Sequence, residues 1–112
     1  MRKKIEIKGI CANPGYAEGP AHVIHDVKDI SKLLKTPNNS ILVCPFTTPL
    51  FAVILRRVKG IVTDLGGLTS HAAIVARELG IPCVVGTEKA TKIIPDKAKV
   101  IINNEKVIVE IL

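Results

Sequence analysis

His71 stands where a flexible turn meets a helix-forming run, in Gly66-Gly-Leu-Thr-Ser-His71-Ala-Ala-Ile-Val-Ala-Arg77. That position suits a histidine that carries a phosphoryl group. The first four N–H groups of a helix have no intrahelical acceptor, and the macrodipole adds about half a positive charge there. A dianionic phosphate is therefore favoured by roughly 0.3 to 2 kcal/mol. The same field favours the neutral, nucleophilic form of the ring over imidazolium. Gly66 and Gly67 let backbone amides approach an incoming phosphate with no Cβ in the way, and Thr69 is the expected N-cap and a hydroxyl donor. Ser70 completes the set of supporting residues, and Ala72 and Ala73 keep the approach open.

The elements that must hold this turn are legible from pattern. Gly60-Ile-Val-Thr-Asp64 reads as a short buried strand of β-branched residues. Gly66 and Gly67 break its period, and Ala72, Ala73, Ile74, Val75, Ala76 and Leu79 are helix formers or core-sized. Gly80 and Pro82 mark a stop, so a helix is expected over 70–79 with His71 in its first turn. Further strands are expected at 3–11, 20–25, 40–44, 82–85, 99–103 and 106–111, the last two joined as a hairpin by an Asn-rich turn. Helices are expected at 29–34 and 50–58, with one turn at 88–92. Strands and helices alternate in the middle and both ends are β-rich, which predicts a mixed sheet with helices packed against it in one α/β domain spanning 1–112.

The run from Gly66 to Arg77 resembles the phosphohistidine signature of the phosphoenolpyruvate-utilising enzymes: two small residues, a spacer, a hydroxyl residue, one more position, then His and a small-apolar helix ending in Arg. The similarity continues through Glu78-Leu-Gly-Ile-Pro-Cys-Val-Val-Gly86. Upstream it takes in Gly9-Ile-Cys-Ala-Asn-Pro-Gly15 with Ala17, Gly19 and Pro20, then Ile41-Leu-Val-Cys44 followed by Thr47-Thr-Pro49. The family usually has glycines in its last turns, where this chain has Pro95-Asp-Lys97 and Asn103-Asn-Glu105. The resemblance implies a compact layered β/β/α swivelling domain that is transiently phosphorylated on His71. Such a domain shuttles the group between a nucleotide or other donor site and a phosphoenolpyruvate or pyruvate site on partner polypeptides. It would form part of a phosphotransferase and not a complete enzyme. No Walker loop and no Mg²⁺-holding carboxylate cluster occurs in the sequence, and a barrel of about 250 residues does not fit in 112. No cofactor is therefore expected on this chain, with Mg²⁺ and ATP or phosphoenolpyruvate held by the partner.

Other residues bound the alternatives. Cys11, Cys44 and Cys83 form no CxxC pair, and three is an odd count, so buried thiols in a reducing cytoplasm are expected. Met1-Arg-Lys-Lys4 looks like the start of a signal peptide, but Glu6 and Lys8 interrupt the apolar stretch that should follow. No apolar run approaches the ~20 residues that span a bilayer. The net charge of +6 admits an alternative, a non-catalytic module using a basic surface for partner or nucleic-acid contact. The lysines and arginines are scattered, however, and Tyr16, Phe46 and Phe51 are the only aromatics, so nucleic acid is not the expected partner. The face around Thr69, Ser70 and His71, with basic residues beside it, is the expected docking surface. His22 and His25 should lie on opposite faces of a strand and, as surface histidines, make a poor metal pair. Arg77 falls off the azimuth of His71 and is assigned to an ion pair or partner contact, and Glu78 to solvent.

Overall fold

The computed structural model describes residues 3–111. Met1 and Arg2, part of the basic N-terminal cluster, and Leu112 lie outside them. Eight strands form one curled sheet: β1 (Lys3–Lys8), β2 (Ile10–Asn13), β3 (Tyr16–Val23), β4 (Ile41–Cys44), β5 (Gly60–Thr63), β6 (Cys83–Val85), β7 (Lys99–Asn103) and β8 (Lys106–Ile111), in the spatial order β1-β8-β7-β3-β4-β5-β6-β2. Strands β3 to β6 run parallel, whereas β1, β8 and β7 join antiparallel on one side and β2 on the other. Helices α1 (Ile30–Leu34), α2 (His71–Leu79) and α3 (Ala90–Ile93) and a 3-10 turn at Pro49–Val53 complete the chain.

Burial explains the parallel half. β4, β5 and β6 are buried at every position, which their unbroken apolar runs require of strands covered on both faces. Successive side chains alternate between two cores. Leu42, Cys44, Ile61, Cys83 and Val85 pack with Phe51, Ile54, Ala72, Ala73 and Ala76 on the helical side. Ile41, Val43, Val62 and Val84 pack on the opposite side with Ile7, Val100, Ile102, Val107 and Val109 from the antiparallel strands. Each fully buried Leu, Ile or Val contributes about 1.5 to 3 kcal/mol of burial free energy. The result is the β/β/α layering that the family resemblance implies.

Strand β3 passes between the two sheet halves. Tyr16 to Pro20 pair antiparallel with β7, and Ala21 to Val23 pair parallel with β4. It begins four residues before the expected start at 20, because the antiparallel half recruits the polar-rich segment that local pattern leaves open. The expected strand at 3–11 divides in two at Gly9, where a Cβ would lie 2.6 Å from the Val85 carbonyl oxygen and 2.7 Å from Val84 Cγ1. The expected helix at 50–58 is only the short 3-10 turn, with Thr48 capping Leu50 N–H through its hydroxyl at 3.3 Å. The C-terminal hairpin forms as expected, with Asn103 opposite Lys106. Lys97 and Asn104 take left-handed φ of 70° and 57°. These turns thus keep a glycine-like conformation without glycine.

His22 is buried, unlike the surface histidine expected, and its Nε2 lies 2.8 Å from the Lys32 carbonyl oxygen. His25 is exposed. Among the described residues no helix is long and apolar enough to cross a membrane.

Gly9→Ala should destabilise the fold by about 1 to 3 kcal/mol, since the added methyl meets backbone that cannot yield cheaply. Denaturant unfolding of the variant beside the wild type checks this, and equal midpoints would refute the close-approach account.

Candidate functional site

The site forms at the carboxyl ends of β4 and β5. Their parallel ladder runs in register from Ile41 opposite Gly60 to Cys44 opposite Thr63. Two further bonds carry it into the loops, Asp64 N–H to the Cys44 carbonyl at 3.1 Å and Leu65 N–H to the Pro45 carbonyl at 2.9 Å. The Asp64 carboxylate accepts from Thr91 N–H at 2.9 Å and from the Thr91 hydroxyl at 2.5 Å, which ties the start of the loop to α3. Two segments 24 residues apart thereby meet, and Thr47 Oγ1 lies 2.8 Å from His71 Nδ1. Thr47 is buried and His71 partly so. Among the described residues Nε2 of His71 has no hydrogen-bond partner.

His71 is the first residue of α2, and the cap is Ser70, not Thr69. Ser70 has the extended backbone of a cap (φ −68°, ψ 160°). Its hydroxyl accepts from Ala73 N–H at 3.4 Å and donates to the Gly67 carbonyl at 2.8 Å. The helix starts one residue later than expected, so capping geometry selects the hydroxyl next to His71 and leaves Thr69 exposed. The two glycines differ. Gly66 has φ +104°, and a Cβ there would sit 3.0 Å from Ser70 Cβ, whereas a Cβ on Gly67 would meet nothing within 4 Å.

Arg77 makes no ion pair among the described residues. Its guanidinium donates to the Leu68 carbonyl at 2.7 Å and to the Ala12 carbonyl at 3.2 Å. Ala72, Ala73 and Ala76 bury the inner face of α2, and Cys83 lies beneath its first turn with Sγ 3.9 Å from the Ala72 carbonyl. Burial pushes the Cys83 thiol up to about 12, and it pushes the buried Cys44 thiol up further. Both are therefore poor nucleophiles near neutral pH. Among the described residues no three His, Cys, Asp or Glu side chains are grouped to hold a metal ion.

Exposed apolar side chains flank these groups in the chain: Phe46 precedes Thr47, Leu65 and Leu68 bracket the glycines, and Ile74 lies one turn beyond His71. Lys32, Lys35 and Lys97 instead line a cavity of about 550 Å³ with Pro20, Ser40 and Asp96, at the amino ends of the parallel strands. Thr47 is the residue that sequence reasoning left out of the site. Its signal was Thr47-Thr-Pro49, in which one hydroxyl suffices to cap the turn before Pro49 and the other is free for a different task.

The description "PEP-utilising enzyme, mobile domain" matches residues 36–107. The chain belongs to that family. It is 49% identical over 106 residues to a probable phosphoenolpyruvate synthase of Archaeoglobus fulgidus, a match covering 95% of this chain and 14% of the relative. It is 49% identical over 89 residues to the phosphoenolpyruvate synthase of Pyrococcus furiosus, covering 80% of this chain and 10% of that protein. The chain therefore spans a small part of the length of these relatives. Among solved structures, an Enzyme I protein (nEIt) superposes with a TM-score of 0.59 at 34% identity, over 69% of this chain and 33% of that one. An aconitase X of Thermococcus kodakaraensis superposes with a TM-score of 0.67 over 94% of this chain and 98% of that one, but at 18% identity it shares the fold alone.

Ser70→Ala should cost about 0.5 to 2 kcal/mol of stability, and Thr69→Ala should cost much less. Gly66→Ala should destabilise by about 1 to 3 kcal/mol through its left-handed φ, whereas Gly67→Ala should unfold like the wild type. Chemical denaturation of the four variants checks both contrasts, and a reversal within either pair would contradict the loop geometry.

Proposed function

We propose that this chain is a phosphoryl carrier whose nucleophile is Nε2 of His71. The observation that carries the reading is the Thr47–His71 hydrogen bond at the start of α2. A neutral imidazole that attacks through Nε2 keeps its proton on Nδ1, and in that tautomer Nδ1–H donates to Thr47 Oγ1. The threonine hydroxyl accepts in that tautomer and fixes the plane of the ring, leaving the Nε2 lone pair for the incoming phosphorus. In the first step the N–P bond forms as the bond from phosphorus to the donor's leaving oxygen breaks, and that oxygen takes the electron pair. In the second an acceptor oxygen attacks phosphorus, the N–P bond breaks, and the pair returns to Nε2.

The donor and acceptor sites lie on partner domains. The relatives named phosphoenolpyruvate synthase support phosphoenolpyruvate as one reactant. In this reading ATP or phosphoenolpyruvate is the donor, and the acceptor stands in a phosphoenolpyruvate or pyruvate site. Mg²⁺ held by the partner supplies charge neutralisation at the phosphates. The exposed Phe46, Leu65, Leu68 and Ile74 suit an apolar docking rim that excludes water while the group is handed over, within an interface of about 1,000 Å² in total. A module that only binds partners has no need of a histidine oriented in this way, which favours the carrier over a binding role.

With a phosphoenolpyruvate- or ATP-dependent partner and labelled donor, the wild type should take up one acid-labile, base-stable phosphoryl group, and His71→Ala should take up none. Thr47→Val, which keeps the shape and removes the hydroxyl, should lower the transfer rate by about 10- to 100-fold with little change in stability. Equal labelling of His71→Ala, or acid-stable label on Thr69 or Ser70, would overturn the assignment. The chain alone should show no turnover with ATP, phosphoenolpyruvate, pyruvate and Mg²⁺.

A further inference from the structure

Arg77 spends its guanidinium on two backbone carbonyls from distant parts of the chain. Leu68, nine residues before it, lies in the loop ahead of His71, and Ala12, 65 residues before it, lies in β2. The Ala12 carbonyl is available because β2 is irregular there: Cys11 pairs with Val84 and Asn13 with Cys83, so Ala12 is an extra residue in the ladder. A bulge in one strand thus supplies an anchor, and Arg77 bridges from it to the loop.

The consequence lies in the peptide that Arg77 holds. A trans peptide is planar with its C=O and N–H pointing opposite ways, so drawing the Leu68 carbonyl to Arg77 turns Thr69 N–H away from the guanidinium. The preceding peptide is held in a similar manner, since the Gly67 carbonyl accepts from Ser70 N–H at 3.1 Å and from the Ser70 hydroxyl at 2.8 Å. Among the described residues the N–H groups of Leu68, Thr69, His71 and Ala72 have no acceptor. Successive free amides of this kind bind anions.

We infer that Arg77 is a positioning residue for phosphoryl transfer: it fixes the Leu68–Thr69 peptide so that Thr69 N–H joins the free amides at the start of α2 as a donor to the phosphoryl oxygens on His71. This role rests on the carrier reading of His71. It gives Thr69 a part through its backbone and none through its hydroxyl.

Phosphoramidate transfers a phosphoryl group to accessible imidazoles without a partner, so the full chain can be tested directly. Wild type, Arg77→Met, Arg77→Lys and His71→Ala are treated with it, and uptake and backbone amide resonances are followed. In the wild type His71 should be phosphorylated, with the Thr69, His71 and Ala72 amides shifting together. In Arg77→Met the shifts of His71 and Ala72 should persist, that of Thr69 should be lost, and uptake should slow by about tenfold or more. Arg77→Lys, which keeps one donor, should recover part of both and gives the same comparison if the methionine variant does not fold. A residue that merely stabilised the fold would lower the melting temperature and leave the Thr69 shift and the uptake rate intact, and that result in a folded Arg77 variant would overturn the role. If wild type and His71→Ala take up the group equally, or the wild type not at all, the carrier reading falls and this role with it.

Discussion

The in-register parallel pairing of β4 and β5 is the constraint on which the rest depends. It sets which residues face the helices and which face the antiparallel strands, so a slip of one residue would exchange Leu42 and Cys44 with Ile41 and Val43. It also fixes how far each loop reaches beyond the sheet. Thr47 follows β4 by three residues and His71 follows β5 by eight, and they meet at hydrogen-bonding distance only because the ladder ends level at Cys44 and Thr63.

Above that sheet, α2 is an apolar prop with its polar chemistry confined to its ends and outer side. The small side chains of Ala72, Ala73 and Ala76 let the helix pack against β2, β5 and β6, while Ser70 holds its amino end and Gly80, at φ 70°, closes the other with its N–H on the Ala76 carbonyl. The loop before it is restrained through its carbonyls, by Ser70 at Gly67 and by Arg77 at Leu68. Restraint through carbonyls leaves the amides unpaired, an arrangement suited to binding an anion. The buried thiols beside the helix are kept protonated by desolvation, which makes them poor nucleophiles near neutral pH.

Two features lie at opposite ends of the parallel strands. Lysines line the cavity at their amino ends, while Phe46, Leu65 and Leu68 lie in the loops at their carboxyl ends, where His71 sits. The exposed pair Lys32 and Asp96, with Nζ and Oδ2 2.8 Å apart, holds part of the lysine-lined end at small energetic value.

The sequence by itself determined most of the strands, the mixed α/β class, the C-terminal hairpin and the histidine at a helix start. Those features are written in local periodicity, in Gly66-Gly67 and in Gly80, where side-chain size and backbone freedom act over a few residues. Only the tertiary structure decided that Thr47 orients His71, that Arg77 holds the loop through a bulge in β2, that β3 passes between two sheet halves, and that His22 is buried. Each of these is a contact between segments far apart in the chain. Hydrogen bonds between distant segments leave no period in the sequence, and even a one-residue change at a helix start, from Thr69 to Ser70 as cap, is set by where packing against the sheet lets the first turn begin.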